Sequence, residues 1–203
     1  MRKAIDNLIA QTAALDCSKE EVQSAVEAVL AMVALASKDE LDTGLKRLSD
    51  AILIVPLAGS AILAYCVGEI VEAGGEATLP IDAVFDRFVE AMTLAQFFVE
   101  SCEDAAVEDG FDPDLNTELV DRYASDMKAT IPENSRAYES LELFVHGAFA
   151  ILVKLPTLKD QLRKRHPAID SMIADLVAYH FSFGCLIDFF DIESETLDSL
   201  EDE

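Results

Sequence analysis

The segment from Ala51 to Gly68, AILIVPLAGSAILAYCVG, decides the fold that this sequence predicts. It contains no charged residue, although Asp50 and Glu69 flank it directly. Such a run is buried, either in a membrane or in the core of a folded domain. It is at the short end of the length of a transmembrane helix, it contains Pro56, and its flanks show no excess of basic residues. We therefore predict a buried helix at the centre of a helical core.

Pro56 divides this segment. A proline inside a helix removes a hydrogen bond and clashes with the preceding turn, and it disfavours the helical conformation at Val55. The segment therefore predicts either a sharp kink or a new helix with Pro56 in its first turn, ending at Gly74-Gly75. Small side chains, which let two helix backbones approach closely, recur every four residues after the proline, at Ser60, Ala64 and Gly68.

The rest of the chain shows helical periodicity. Apolar residues step by alternating four and three positions in three long stripes, at 81–102, 138–152 and 169–190. This spacing is typical of helical bundles, and no run alternates with the period of two that a strand requires. We predict an all-α fold, a single-domain multi-helix bundle of about seven to nine helices around a buried apolar helix at roughly 51–73. Helix pairs stacked as in HEAT repeats are the alternative.

Boundaries within the chain are weakly marked. We predict one helical domain over 1–203, with a weak sub-boundary near 104–113, where an acidic stretch is followed by Gly110 and Pro113. Ser18 and Glu21 have the spacing of a capping box, which predicts the start of a helix. The acidic tail 193–203 is expected to fray.

The charge of the chain is strongly acidic. There are 39 acidic and 15 basic residues, which gives a formal net charge of -24 at pH 7. Nucleic-acid binding relies on basic residues that neutralise phosphates, so we expect no nucleic-acid partner, and for the same reason no anionic membrane surface. Three interpretations stay open: a solvated surface, a docking face for a basic protein partner, and adaptation to high salt.

The four cysteines are scattered along the chain, at Cys17, Cys66, Cys102 and Cys185. Their spacing matches neither a C-x-x-C motif nor a zinc site, and it suits free thiols in a reducing compartment. The first residues meet Asp6 too early for a signal peptide. We therefore expect a cytoplasmic location.

His180 is the first candidate for a ligand-binding residue, together with Tyr179 and Phe183. It occupies a core position of the last apolar stripe, where a histidine serves as a haem or metal ligand or as a titrating switch. The alternative is a core histidine satisfied by a hydrogen bond. Because no further ligands are evident near it in the sequence, we predict neither a cofactor nor a metal site.

Glu142 and His146 lie four residues apart, so one helix face presents both. Di-iron bundles require a Glu-x-x-His pair on each of two helices, and Leu143 occupies the position three residues before His146. The pattern therefore predicts a surface helix pair. The sequence also has no nucleotide-binding loop or nucleophile elbow, and we assign no catalytic residue.

A basic cluster forms the second candidate site, at Lys159, Arg163, Lys164 and Arg165. In so acidic a protein, this local concentration of positive charge suits an anion, a phosphate or an acidic partner. Binding of the protein's own acidic tail is the alternative.

Three hypotheses for function follow. The leading one is a non-enzymatic protein-interaction or regulatory module whose acidic surface binds a basic protein partner. The alternative is a binder of a small apolar ligand or cofactor in the helical core. The third is an enzyme of unknown type. A homodimer is compatible with each of them.

Overall fold

A computed structural model describes residues 1–14, 18–111 and 119–192. Within these ranges the protein is all-α, as predicted, with eleven α-helices and no strand. The helices are α1 (Arg2–Ala13), α2 (Lys19–Val33), α3 (Lys38–Ile52), α4 (Leu57–Glu72), α5 (Ile81–Glu108), α6 (Leu119–Thr130), α7 (Pro132–Glu139), α8 (Leu141–Lys154), α9 (Leu158–Arg165), α10 (Ile169–Val177) and α11 (Gly184–Phe190). The number slightly exceeds seven to nine because stretches that read as single helices in the sequence are divided.

The chain divides into two compact units. The first comprises 1–88 and 140–158, and the second comprises 89–139 and 159–203. The sub-boundary predicted near 104–113 falls inside the second unit, where α5 ends at Glu108. The single domain over 1–203 stays a prediction, and each unit is described by itself below.

In the first unit, α4 is the buried apolar helix. Its residues are buried on most of its surface, including Leu63, Val67 and Ile70, and it packs against α1, α2, α3 and α8. The predicted buried helix is therefore confirmed, although it begins at Leu57 rather than near residue 51. It ends at Glu72, just before the expected stop at Gly74-Gly75, and Gly74 has a φ of 106°, which is accessible to glycine.

The corner between α3 and α4 resolves the two alternatives for Pro56. The proline precedes α4 as its N-cap residue, so a new helix starts there. The buried Ser60 hydroxyl donates to the Ile52 carbonyl at 2.8 Å, and the Arg87 Nη2 donates to the Val55 carbonyl at 2.9 Å. These contacts satisfy carbonyls that the interrupted helix leaves without partners.

Close packing of α4 against α8 depends on small residues. An ideal Cβ built on Gly147 of α8 would lie 2.3 Å from the Ala64 carbonyl oxygen, and one built on Gly68 would lie 3.1 Å from the Gly147 Cα. The close backbone approach predicted from the four-residue spacing is thus present at Ala64 and Gly68. The hydroxyl of Ser60, the third member of that pattern, instead donates to the Ile52 carbonyl at the α3–α4 corner.

In the second unit, the continuity predicted for the stripe 169–190 is wrong. Helix α10 ends at Val177, His180 is extended with φ -142° and ψ 101°, and a 3-10 turn over Phe181–Phe183 precedes α11. The Tyr138 hydroxyl donates to the Tyr179 carbonyl at 2.6 Å. That carbonyl lies outside any helix, and this hydrogen bond supplies the partner that a helix would otherwise provide.

Several remaining predictions concern single features. The capping box at Ser18 and Glu21 is confirmed by both of its hydrogen bonds. Cys66 and Cys102 are buried free thiols. Over the described ranges, no helix has the length and apolar character needed to cross a membrane. Cys17, Pro113 at the end of the predicted sub-boundary, and the acidic tail 193–203 lie outside the described residues.

Candidate functional site

The second unit carries a surface cleft of about 370 Å³, formed by α5 and the segment 174–179 at the end of α10. We call it the acidic cleft because three carboxylates line it. Its lining residues are Gln96, Val99, Glu100, Glu103, Ala174, Asp175, Leu176, Ala178 and Tyr179.

The helical repeat places the four lining residues of α5 on one side of the cleft. Positions 96, 99, 100 and 103 of α5 are spaced i, i+3, i+4 and i+7, which puts them on one helix face. Val99 and Leu176 are buried at the base of the cleft, while Glu100 and Asp175 are exposed. The cleft thus combines an apolar base with a negatively charged rim.

Neutral groups orient two of the three carboxylates of the acidic cleft, Asp175 and Glu103. The Gln96 Nε2 donates to the Asp175 Oδ2 at 2.8 Å, and the Tyr179 hydroxyl donates to Glu103. Among the residues that the structure describes, no Lys, Arg or His contacts Glu100, Glu103 or Asp175. These hydrogen bonds fix the carboxylates without cancelling their charge.

Three other acidic residues of the second unit are paired with cations. Asp170 contacts the Arg163 Nε at 2.8 Å, Asp191 contacts the Lys159 Nζ at 2.6 Å, and Glu139 contacts Lys128 at 2.5 Å. The acidic cleft differs from these three sites because, within the described residues, no cation contacts its carboxylates. Its arrangement suits a cationic group supplied from outside.

Hydrogen bonds fix the position of Tyr179, which lines the cleft. Burial raises the pKa of Tyr138 to about 12, so its hydroxyl stays protonated and donates to the Tyr179 carbonyl. The Tyr138 ring in turn packs on Phe98 with centroids 5.3 Å apart. Tyr179 is therefore bonded both through its backbone and through its hydroxyl.

The predicted trio of His180, Tyr179 and Phe183 lies in the segment between α10 and α11. The His180 ring contacts the Tyr138, Phe181 and Phe183 rings at 5.4, 5.9 and 6.0 Å, and its Nδ1 lies 2.7 Å from the Ser182 hydroxyl. Phe183 is fully buried, and of the trio it is Tyr179 that lines the acidic cleft. A small apolar ligand at these residues stays a prediction.

The basic cluster contacts the end of α11. Lys159 bonds Asp191, and this hydrogen bond lowers the pKa of the Asp191 carboxyl. Arg163 bonds Asp170 and also donates to the Phe190 carbonyl. Lys164 and Arg165 are exposed. Two of the four residues thus stabilise a helix C-terminus, where positive charge is favourable, and anion or partner binding by the cluster stays a prediction.

His146, which shares α8 with Glu142, contacts Glu69 of α4. Its Nε2 is 3.0 Å from the Glu69 Oε1, and its ring lies 4.7 Å from the Tyr65 ring. Within the described ranges, no group of three or more His, Cys, Asp or Glu side chains has an arrangement that could hold a metal ion.

A second cavity of about 220 Å³ lies in the first unit, beside α1 and α3. Arg2 and Arg47 line it, and both contact Asp6. Glu40, which also lines it, accepts hydrogen bonds from the backbone N–H and the hydroxyl of Ser37. These charged groups are already engaged within the protein, so the acidic cleft is the better candidate for an external ligand.

Sequence reasoning missed Gln96, Glu100, Glu103 and Asp175. The spacing of the three α5 residues was a readable signal, because polar residues at 96, 100 and 103 share one helix face. Asp175 lies more than seventy residues further along the chain. Its position opposite that face follows from tertiary packing alone.

Comparison of the chain with protein-family models, with curated proteins and with solved structures finds no match.

Proposed function

We propose that this protein is a non-enzymatic protein-interaction module and that the acidic cleft receives a lysine or arginine side chain of a basic protein partner. The observation that carries the proposal is the set of three cleft carboxylates that contact no cation within the described residues. The net charge of -24 favours encounter with a basic partner over a long range.

The shape of the cleft supports a basic side chain in particular. Lysine and arginine combine an apolar stem with a charged end, and the stem packs on apolar surface while the end stays in a polar environment. Val99 and Leu176 at the base provide the apolar surface. Glu100 and Asp175 at the rim provide the charge.

The test measures binding of two fluorescent peptides, a Gly-Arg repeat and a Gly-Lys repeat, by fluorescence anisotropy. A Gly-Glu repeat of the same length is the negative control. We expect both basic peptides to bind and the affinity to fall as the salt concentration rises from about 0.15 M to about 1 M, because the Debye length shrinks from about 8 Å to about 3 Å.

A double variant, Glu100→Gln with Asp175→Asn, tests the site itself. Each exposed ion pair contributes roughly 0.2–1 kcal/mol, so we expect a loss of about 1 kcal/mol, which is about a fivefold weaker affinity. The matched control is Glu108→Gln with Asp126→Asn, which removes the same charge from exposed positions of the same unit outside the cleft. Equal losses in the two variants, or no binding of either basic peptide, would refute the proposal.

The cytoplasmic location, the apolar ligand in the core and the homodimer stay predictions. Native mass spectrometry of the gently purified protein tests the apolar-ligand hypothesis separately. A small-molecule adduct would support it. Co-purification of a basic protein that dissociates at high salt would instead support the interaction module.

A further inference from the structure

An exposed aromatic residue follows the cleft-lining Tyr179 closely in the chain. Phe181 is 84% exposed, in contrast with the fully buried Phe183 of the same 3-10 turn. It follows Tyr179, a cleft-lining residue, by two positions, so the two Cα atoms are at most about 7 Å apart.

One face of the Phe181 ring is supported and the other is open. The ring stacks on the His180 imidazole, with centroids 5.9 Å apart and an angle of 14° between the planes. His180 is itself held by the edges of the Tyr138 and Phe183 rings and by Ser182. The stack covers only the ring face that is turned towards His180. The opposite face, which we call the outer face, is therefore the one exposed to solvent.

Charge identifies what this face binds. An aromatic face attracts a cation within about 6 Å of its centre, and the neighbouring carboxylates select basic side chains from any partner. The planar guanidinium of arginine stacks on a ring as well as being attracted by it, whereas the lysine ammonium is a compact and strongly hydrated charge.

We infer that Phe181 is a specificity-determining contact that makes the protein prefer arginine to lysine, by stacking its outer face on a guanidinium of the basic partner. This inference rests on the proposed function, because the same partner places another basic side chain in the acidic cleft. Aromatic residues, phenylalanine among them, are enriched in protein interfaces relative to the rest of the protein surface.

The test is the ratio of affinities for the Gly-Arg and Gly-Lys repeat peptides, measured for Phe181→Leu. Leucine keeps an apolar side chain and removes the aromatic face. We expect the wild type to prefer the Gly-Arg peptide and the variant to lose about two- to fivefold of that preference. The matched control is Phe97→Leu, because Phe97 is another exposed phenylalanine of the second unit and directly follows the cleft residue Gln96, but stacks on no other ring within the described residues. It therefore tests whether nearness to the cleft suffices without a stacked ring.

The outcomes separate this inference from the proposed function. An unchanged Arg-to-Lys ratio in Phe181→Leu, or the same loss in Phe97→Leu, overturns the role of Phe181 while leaving the cleft intact. Absence of binding to either peptide in the wild type overturns both. Because Phe181 is mostly exposed, an unchanged unfolding temperature of its variant confirms that the affinity change is local.

Discussion

Substitution of Gly147 by alanine is the sharpest test of the packing in the first unit. The added Cβ would lie 2.3 Å from the Ala64 carbonyl oxygen and 2.8 Å from its carbonyl carbon. A carbon–oxygen contact of about 3.3 Å is the closest that recurs in proteins. Both clashing atoms belong to the backbone of α4, so no side-chain rotation relieves the overlap and the two helices must separate by about 1 Å.

Two opposing contributions determine how much Gly147→Ala changes the free energy of unfolding. Overpacking a close-packed core costs about 1–3 kcal/mol, and a backbone clash at this distance lies at the upper end. Alanine in place of glycine inside a helix recovers about 1 kcal/mol. We therefore expect Gly147→Ala to lower the free energy of unfolding by about 2 kcal/mol, which for a chain of this length lowers the unfolding temperature by about 4–8 °C.

The assay is urea and thermal unfolding followed by circular dichroism, with Gly184→Ala as the matched control. Gly184 has helical angles, φ -52° and ψ -42°, and a Cβ there would meet no atom within 4 Å. The same chemical change should stabilise the protein at that position by about 0.4–1 kcal/mol. If Gly147→Ala unfolds at or above the wild-type midpoint, the close approach of α4 and α8 does not depend on this glycine.

Two further predictions concern the first unit. Ser60→Ala should cost about 1–3 kcal/mol in urea unfolding, because it deprives the buried Ile52 carbonyl and the Arg87 guanidinium of a partner. The control Ser24→Ala, at an exposed position of α2 in the same unit, should change stability by less than about 0.5 kcal/mol, and equal effects would contradict this role of Ser60. Burial raises the pKa of Cys66 from 9.0 to about 12, so the unfolded chain loses this proton first and stability should fall as the pH rises above 9 towards 12. Urea unfolding at pH 8 and 10 should show a smaller decline in Cys66→Ala than in the wild type, and an equal decline would exclude Cys66 as its source.

The helices themselves were predictable because their causes are local. The capping box at Ser18 and Glu21, the interruption at Pro56 and the stop at Gly74 each depend on residues within a few positions of one another. The apolar run that became α4 and the small residues Ala64 and Gly68 also predicted a buried helix and a close crossing. The spacing did not identify the partner in that crossing, because α8 is far away in the chain.

The sequence by itself determined the all-α class, most helix positions and the acidic character, because periodicity and charge are properties of neighbouring residues. Tertiary structure alone decided where the helix of the last stripe breaks, since the Tyr138 hydroxyl that bonds the Tyr179 carbonyl comes from a distant helix. It likewise brought Asp175 opposite Glu100 and Glu103, and left these carboxylates without a cation within the described residues. A charge pattern on one helix specifies a polar face, and only packing determines what that face meets.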